Sequence, residues 1–297
     1  MNPAPIALFA YNRPKHLQQA VDSLCRNTLA GQSDLHVFSD GPAGEEQVEA
    51  VQQVRAVLKE ITGFASVTVH ESSQNRGLAA SVIEGVTLLC GDHERAIILE
   101  DDLVVSPHFL SYMNAALDRY RDETRVMQIS GHMFPVEIDT EADACFLPFV
   151  TSWGWATWAR AWAHFDPAAH GYGELVRDRR RRRQFNMNGA YDYFSMLEKQ
   201  MQGRIDSWAV RWNLSVFMRD GLVLYPARTM VENRGFDGSG VHCRGDTLTG
   251  DLDPHFQPRR FPVVRADPDA FAAVTNYFRG RSSLGGRLSS LKTRLFG

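Results

Sequence analysis

The chain has 297 residues, 44% hydrophobic and 23% charged, which suffices for one large domain or two modest ones. Its 32 Lys and Arg nearly balance 35 Asp and Glu, and a net charge of −3 removes the positive field that a dedicated nucleic-acid-binding chain needs. Four dispersed cysteines contain no CxxC pair, so neither a zinc site nor a disulfide scaffold is expected, and reduced thiols point to the cytoplasm.

The first 130 residues alternate short apolar runs with stretches of helical period. Ile6–Ala10 reads as a strand and Lys15–Leu29 as a helix with Leu17, Ala20, Val21 and Leu24 on one face. Leu35–Ser39 is a second strand, and Glu45–Leu58 a second helix behind the turn residues Asp40, Gly41 and Pro42. Ser66–His70 and Leu78–Cys90 form a third pair, Ala96–Leu99 and Pro107–Tyr120 a fourth, and Val126–Ser130 a fifth strand. Repeated βα units predict an α/β fold: a mostly parallel sheet flanked by helices.

Ligands of such sheets bind beyond the carboxyl ends of the strands. Four polar clusters sit there: Tyr11-Asn12-Arg13-Pro14, Ser39-Asp40-Gly41, Asn75-Arg76-Gly77 and Glu100-Asp101-Asp102. No GxGxxG turn follows the first strand and no GxxxxGK[ST] occurs, so a nucleotide would need its charge neutralised otherwise. Three adjacent acids repel one another unless a cation sits among them, which suits Mn2+ or Mg2+ held by carboxylates and phosphate oxygens. A solvated acidic turn ahead of the fourth helix is the plainer alternative.

Past Gly131 the βα rhythm breaks. All six tryptophans lie at 153, 155, 158, 162, 208 and 212; an arginine run spans Arg177–Arg183; and residues beyond about 255 are basic. Three parts are expected: 1–130, which carries the βα units; 131–255, which carries the tryptophans; and a basic tail at 256–297. Trp158 and Trp162, four apart, suit core packing, whereas Trp153 and Trp155 flank Gly154 and suit stacking on a sugar. Trp208 and Trp212, also four apart and beside Asp206, suit one buried face and one framing a ligand. The arginine run is either a solvated face or a site for an acidic acceptor or anionic lipid. Leu284, Leu288, Leu291 and Leu295 alternate with Arg287, Lys292 and Arg294, as in a terminal helix that docks on the domain or lies on an anionic membrane. No segment has the roughly 18 consecutive apolar residues of a membrane span, so membrane contact would be peripheral.

The series FAYNRPKHL, FSDG, NRGLAASV and ILEDDLVVSPHFL resembles the donor half of GT-A glycosyltransferases, above all N-acetylglucosaminyltransferase I-like enzymes, in which Glu-Asp-Asp replaces Asp-X-Asp. TSWGWATWARAW, IDSWAVRW and NRGFDGSGVHC resemble the acceptor half of bacterial members. This resemblance implies a metal-dependent, inverting transfer from a nucleotide sugar, with UDP favoured, to a glycan or lipid-linked acceptor in bacterial surface-polysaccharide synthesis. It implies that Arg13 and Asp40 contact the nucleotide, Arg76 the base or diphosphate, Asp102 the metal, and Glu100 and Asp101 the sugar or ribose. Tyr11 and His242 join the donor site, Trp153, Trp155 and Trp208 the acceptor site, and Asp206 is the general base. Related eukaryotic chains carry two acids before the tryptophan, where this one has Asp206-Ser207-Trp208. A retaining transferase, a nucleotide-sugar pyrophosphorylase and a carbohydrate-binding module without activity are the alternatives.

Overall fold

A computed structural model describes residues 2–237 and 252–283. The elements run β1 (Ile6–Ala10), α1 (Pro14–Cys25), β2 (Asp34–Ser39), α2 (Val48–Lys59), β3 (Ser66–Glu71), α3 (Leu78–His93), β4 (Arg95–Glu100), β5 (Leu103–Val105), α4 (Phe109–Arg119) and β6 (Val126–Ser130). There follow β7 (Ala144–Leu147), β8 (Trp155–Trp158), α5 (Ala159–Trp162), α6 (Tyr172–Arg177), α7 (Arg179–Phe185), α8 (Tyr193–Met201), α9 (Trp208–Met218), β9 (Leu222–Pro226), β10 (Val231–Asn233) and α10 (Pro268–Ser283).

Eight strands form one sheet in the order β3-β2-β1-β4-β8-β6-β9-β7, and β10 pairs with β5 in a two-stranded ladder. β1 to β4 are parallel, β8 runs against both β4 and β6, and β9 is parallel to β6. The expected mostly parallel α/β sheet is therefore present, and helices cover it. Strand β1 is buried at all five positions, as a central parallel strand between helical layers must be.

Two local differences have simple causes. Helix α1 begins with Pro14 in its first turn, where a missing N–H costs nothing, and ends at Cys25 rather than Leu29. A 3-10 turn at Ala30–Gln32 then leads into β2. The larger difference is β8, an aromatic segment that inserts between β4 and β6, so the parts before and after residue 130 share one sheet.

Trp158 and Trp162 are core residues, as their spacing suggested. The Trp158 indole N–H donates to the Leu117 carbonyl at 3.1 Å, and that of Trp162 to Thr87 Oγ1 at 3.0 Å. Trp212 is fully buried and donates to Gln128 Oε1 at 2.7 Å, so it frames nothing outside the core. Among the described residues no helix is long and apolar enough to cross a membrane.

Candidate active site

Parallel pairing brings the strand ends together. Phe9 stands opposite both Phe38 and Glu100, so the residues after β1, β2 and β4 emerge side by side. Arg13 crosses from the β1 end to the acids: its guanidinium pairs with the Asp101 carboxylate and lies 3.1 Å from Asp102 Oδ2. The Tyr11 backbone N–H donates to Asp101 Oδ2 at 3.2 Å, and the Tyr11 hydroxyl accepts from the Ala43 N–H at 3.0 Å.

Burial raises the pKa of Glu100 well above its ordinary value, and the Asp102 charge adds to that. Asp101 is also raised by burial, although Arg13 opposes the shift. Burial alone would lower the Arg13 pKa, but Asp101, Asp102 and Glu100 outweigh it and raise it. A permanently charged guanidinium thus sits among three crowded carboxyl groups.

Asp40 has a structural part as well as a place at the site. Its two carboxylate oxygens accept the backbone N–H groups of Gly41, Arg76 and Gly77, at 2.9 to 3.1 Å. The Asn75 amide donates to the Gly41 carbonyl at 2.9 Å, so the two turns are tied together. A Cβ on Gly41 would stand 2.6 Å from the Gln74 backbone, which only glycine avoids. The Arg76 guanidinium turns outward, half exposed, to pair with Glu84 on α3.

A second layer closes over the acids from far along the chain. Strand β10 pairs with β5 immediately after the acidic triplet, and the Arg234 N–H donates to the Asp102 carbonyl at 2.8 Å. Gly235 then passes so close that a Cβ there would be 2.3 Å from Asp102 Oδ2. Phe236 follows, edge-on to Trp153 at 5.7 Å. His242 lies outside the described residues.

The tryptophans expected to form an open sugar platform do not. Trp155 and Trp208 are 0% and 1% exposed and stack on each other at 5.1 Å. Trp153 is 4% exposed, with His132 and Phe236 against it. Trp155 lies in β8, an interior strand; Trp208 opens α9 and packs on it, and Trp153 is enclosed by His132 and Phe236. None of the three presents an open ring face at the surface.

Asp206 precedes Ser207, which caps α9 by accepting the Val210 N–H at 3.4 Å. Its carboxylate is 68% exposed and 2.7 Å from Arg211 Nη2. Trp208, two residues on, stacks on Trp155, which stands opposite Ile98 in β4, two residues before Glu100. Asp206 therefore belongs to the same end of the sheet as the acids, although no hydrogen bond or ion pair among the described residues joins them.

His132 escapes sequence reasoning. It is fully buried two residues past the end of β6, edge-on to Trp153 at 4.6 Å and Phe134 at 4.8 Å. Neither ring nitrogen has a hydrogen-bond partner, and burial pushes its pKa down to about 3. The available signal was its position just beyond a fifth strand end.

No curated protein matches the chain. Among solved structures, it is similar to a mannosyltransferase from Pyrobaculum calidifontis in complex with GDP-Man and Mn2+, at 15% identity over 44% of this chain and 35% of that one, with a TM-score of 0.31. This chain thus spans about a third of that enzyme's length. It is also similar to a UDP-glucose pyrophosphorylase complexed with UDP-glucose, at 10% identity over 75% and 89% of the two chains and a TM-score of 0.37. For the galactosyltransferase LgtC with donor and acceptor sugar analogs, identity is 12% over 58% and 65%, again with a TM-score of 0.37. The sequence profile of glycosyl transferase family 2 matches residues 6–196, which is well over half of the chain and includes the whole of β1 to β8. The chain therefore belongs to glycosyl transferase family 2.

Proposed function

We propose that this enzyme is a metal-dependent, inverting glycosyltransferase that moves a sugar from a UDP-sugar donor to a glycan or lipid-linked acceptor, in bacterial surface-polysaccharide or glycoconjugate synthesis. The donor rests on the likeness to N-acetylglucosaminyltransferase I-like enzymes, and the setting on the likeness of TSWGWATWARAW, IDSWAVRW and NRGFDGSGVHC to bacterial members. The observation that carries the chemistry is Asp102: Oδ2 faces Arg13, while Oδ1 is buried without a hydrogen-bond partner. A buried carboxylate oxygen left unpaired is costly, and a hard dication is the partner its chemistry suits. Among the described residues no group of three or more His, Cys, Asp or Glu could cage a metal alone. Mg2+ and Mn2+ sites built from one carboxylate and donor phosphates need no such cage.

Bound at Asp102 Oδ1, Mn2+ or Mg2+ would supply positive charge to the departing nucleoside diphosphate. Arg13 bridges Asp101 and Asp102 and offers its positive charge to the diphosphate. Glu100 and Asp101 line the sugar or ribose, and Tyr11 with the Asp40-clamped turn around Arg76 forms the wall for the base. His242 is assigned to the phosphates. Asp206, aligned by Arg211, takes the proton of the acceptor hydroxyl as it attacks the anomeric carbon from the face opposite the leaving group, which inverts that centre.

Thermal shift with nucleotide sugars tests this reading, because a ligand of the native state raises its apparent stability. UDP-sugars should raise Tm strongly with Mn2+ and weakly without it, and Asp102→Asn should remove the metal-dependent part. A metal-independent shift that survives in Asp102→Asn overturns it.

A further inference from the structure

Beside the acid cluster the chain makes a turn that a plain strand would not make. Strand β10 runs antiparallel to β5, with Asn233 opposite Leu103, the residue that follows Asp102. The next step still bonds across to the partner: the Arg234 N–H donates to the Asp102 carbonyl at 2.8 Å. The step after it does not. The Gly235 N–H donates instead to Asn233 Oδ1 at 2.8 Å, a buried bond between residues two apart. A side chain that captures the N–H two residues on competes with the sheet ladder and bends the backbone away from it. Asn233 thereby ends β10 and sends the chain across Asp102 instead of along it.

The crossing is tight. A Cβ on Gly235 would lie 2.3 Å from Asp102 Oδ2, and 3.1 Å from both Arg13 Nη1 and Asn233 Oδ1. Asp102 Oδ2 is therefore enclosed by Arg13 Nη1, 3.1 Å away, and by the Gly235 backbone. A carboxylate packed in this way cannot exchange its two oxygens by rotation without pushing the chain aside. Its other oxygen, Oδ1, keeps one position, buried and without a hydrogen-bond partner.

The segment is fastened on both sides of Gly235. Before it, the Arg234 guanidinium donates to Gln19 Oε1 on α1 at 3.2 Å and to Glu232 at 3.3 Å, and the Arg234 carbonyl lies 3.3 Å from His16 Nε2. After it, Phe236 packs on Trp153. Those contacts hold the neighbours, and among the described residues the Asn233 side chain is what holds the Gly235 N–H.

We infer that Asn233 is a positioning residue of the transfer site: it fixes the Gly235 crossing, and through it keeps Asp102 Oδ1 in place for the dication. The inference rests on the reading of Asp102 as the metal carboxylate. An amide suits the role, since it accepts the N–H without adding a further negative charge beside Glu100, Asp101 and Asp102. Asn233 is 6% exposed, and losing its acceptor leaves a buried N–H unmatched.

Two isosteric variants test this, Asn233→Thr and Asn233→Val, which differ in the hydroxyl acceptor. Thr229 Oγ1 already accepts the Val231 N–H across the same spacing at 3.3 Å, so a threonine at 233 has the reach. Calorimetry of the full chain at about 10 °C measures Mn2+ affinity at saturating UDP, and UDP affinity in EDTA. In Asn233→Val the Mn2+ affinity should fall about tenfold, the size expected for one buried donor left unmatched, while UDP affinity in EDTA stays within about twofold of wild type. Asn233→Thr should stay within about threefold of wild type in both. A merely structural role would weaken both measurements together.

Equal Mn2+ affinity in wild type and Asn233→Val overturns the inference, and so does an equal fall with and without metal. Should Asn233→Val fail to fold, Asn233→Thr still decides, because a tenfold loss of Mn2+ affinity in the variant that keeps the acceptor overturns the inference as well. A wild type whose UDP binding ignores Mn2+ refutes the metal reading of Asp102 itself, and this inference with it; a metal-responsive wild type matched by Asn233→Val overturns the role of Asn233 alone.

Discussion

Lowering the pH from 7 to 5 should destabilise the protein through His132. The ring is fully buried, and burial moves its pKa from 6.5 to about 3. Between those values the unfolded chain binds a proton that the folded chain does not, so stability is present above pH 6.5 and lost as pH falls through the window. The slope there is about 1.4 kcal/mol per pH unit, and the pH 7 to pH 5 interval removes about 2 kcal/mol. His132→Phe keeps a ring against Phe134 and Trp153 but cannot titrate. His36, His70 and His164, also held low mainly by burial, titrate in both proteins and cancel in the comparison. Urea unfolding of both proteins at pH 7 and pH 5 measures the difference directly. Wild type should lose about 2 kcal/mol more than the variant, and at pH 7 the variant should be no less stable, since it removes two unpaired buried nitrogens. Equal losses would show that the imidazole is hydrated or partnered in solution, contrary to the geometry.

Asp206→Asn should lower transfer by roughly 100-fold to 10,000-fold while leaving the Mn2+-dependent donor shift intact; equal loss of donor affinity would move this residue to the nucleotide site. Gly235→Ala forces a Cβ to within 2.3 Å of Asp102 Oδ2, so donor binding measured by calorimetry should weaken at least tenfold even if the fold survives. Trp155→Ala should cost about 3–5 kcal/mol in chemical denaturation, whereas Trp155→Phe should leave the KM for acceptor within about twofold. A large acceptor effect in the Phe variant would return this residue to the sugar site.

What the sequence makes legible is set by range. Apolar runs ending in polar clusters mark the ends of β1 to β4 because each signal lies within a few residues, and parallel pairing then assembles the clusters without further information. The tryptophans are misleading for the opposite reason. Trp153-Gly154-Trp155 looks like a loop with two free rings, and only the insertion of β8 between β4 and β6 buries it. Gly154, at φ 57°, takes a left-handed turn whose Cβ would meet Val231, a contact made across 77 residues of chain. Gly235 is equally hidden, since its reason for being glycine is a carboxylate 133 residues earlier. Asp40 is legible as a strand-end acid, but not as the clamp on the turn after β3.

The acid cluster has an electrostatic consequence for the order of events. Glu100, Asp101 and Asp102 can carry three negative charges, and Arg13 supplies one positive charge shared between two of them. The raised pKa values of Glu100 and Asp101 show a site that resists full ionisation even with that help. A nucleoside diphosphate brings at least two further negative charges into the same partly desolvated space. On the proposed reading, then, Arg13 cannot serve the acids and the diphosphate at full strength together, and a dication held by Asp102 would supply the positive charge that Arg13 alone does not. Donor and dication should therefore bind interdependently, each raising the affinity of the other by the same factor. A side chain at Gly235, whose Cβ would stand 2.3 Å from Asp102 Oδ2 and 3.1 Å from Arg13 Nη1, should therefore disturb both bindings together.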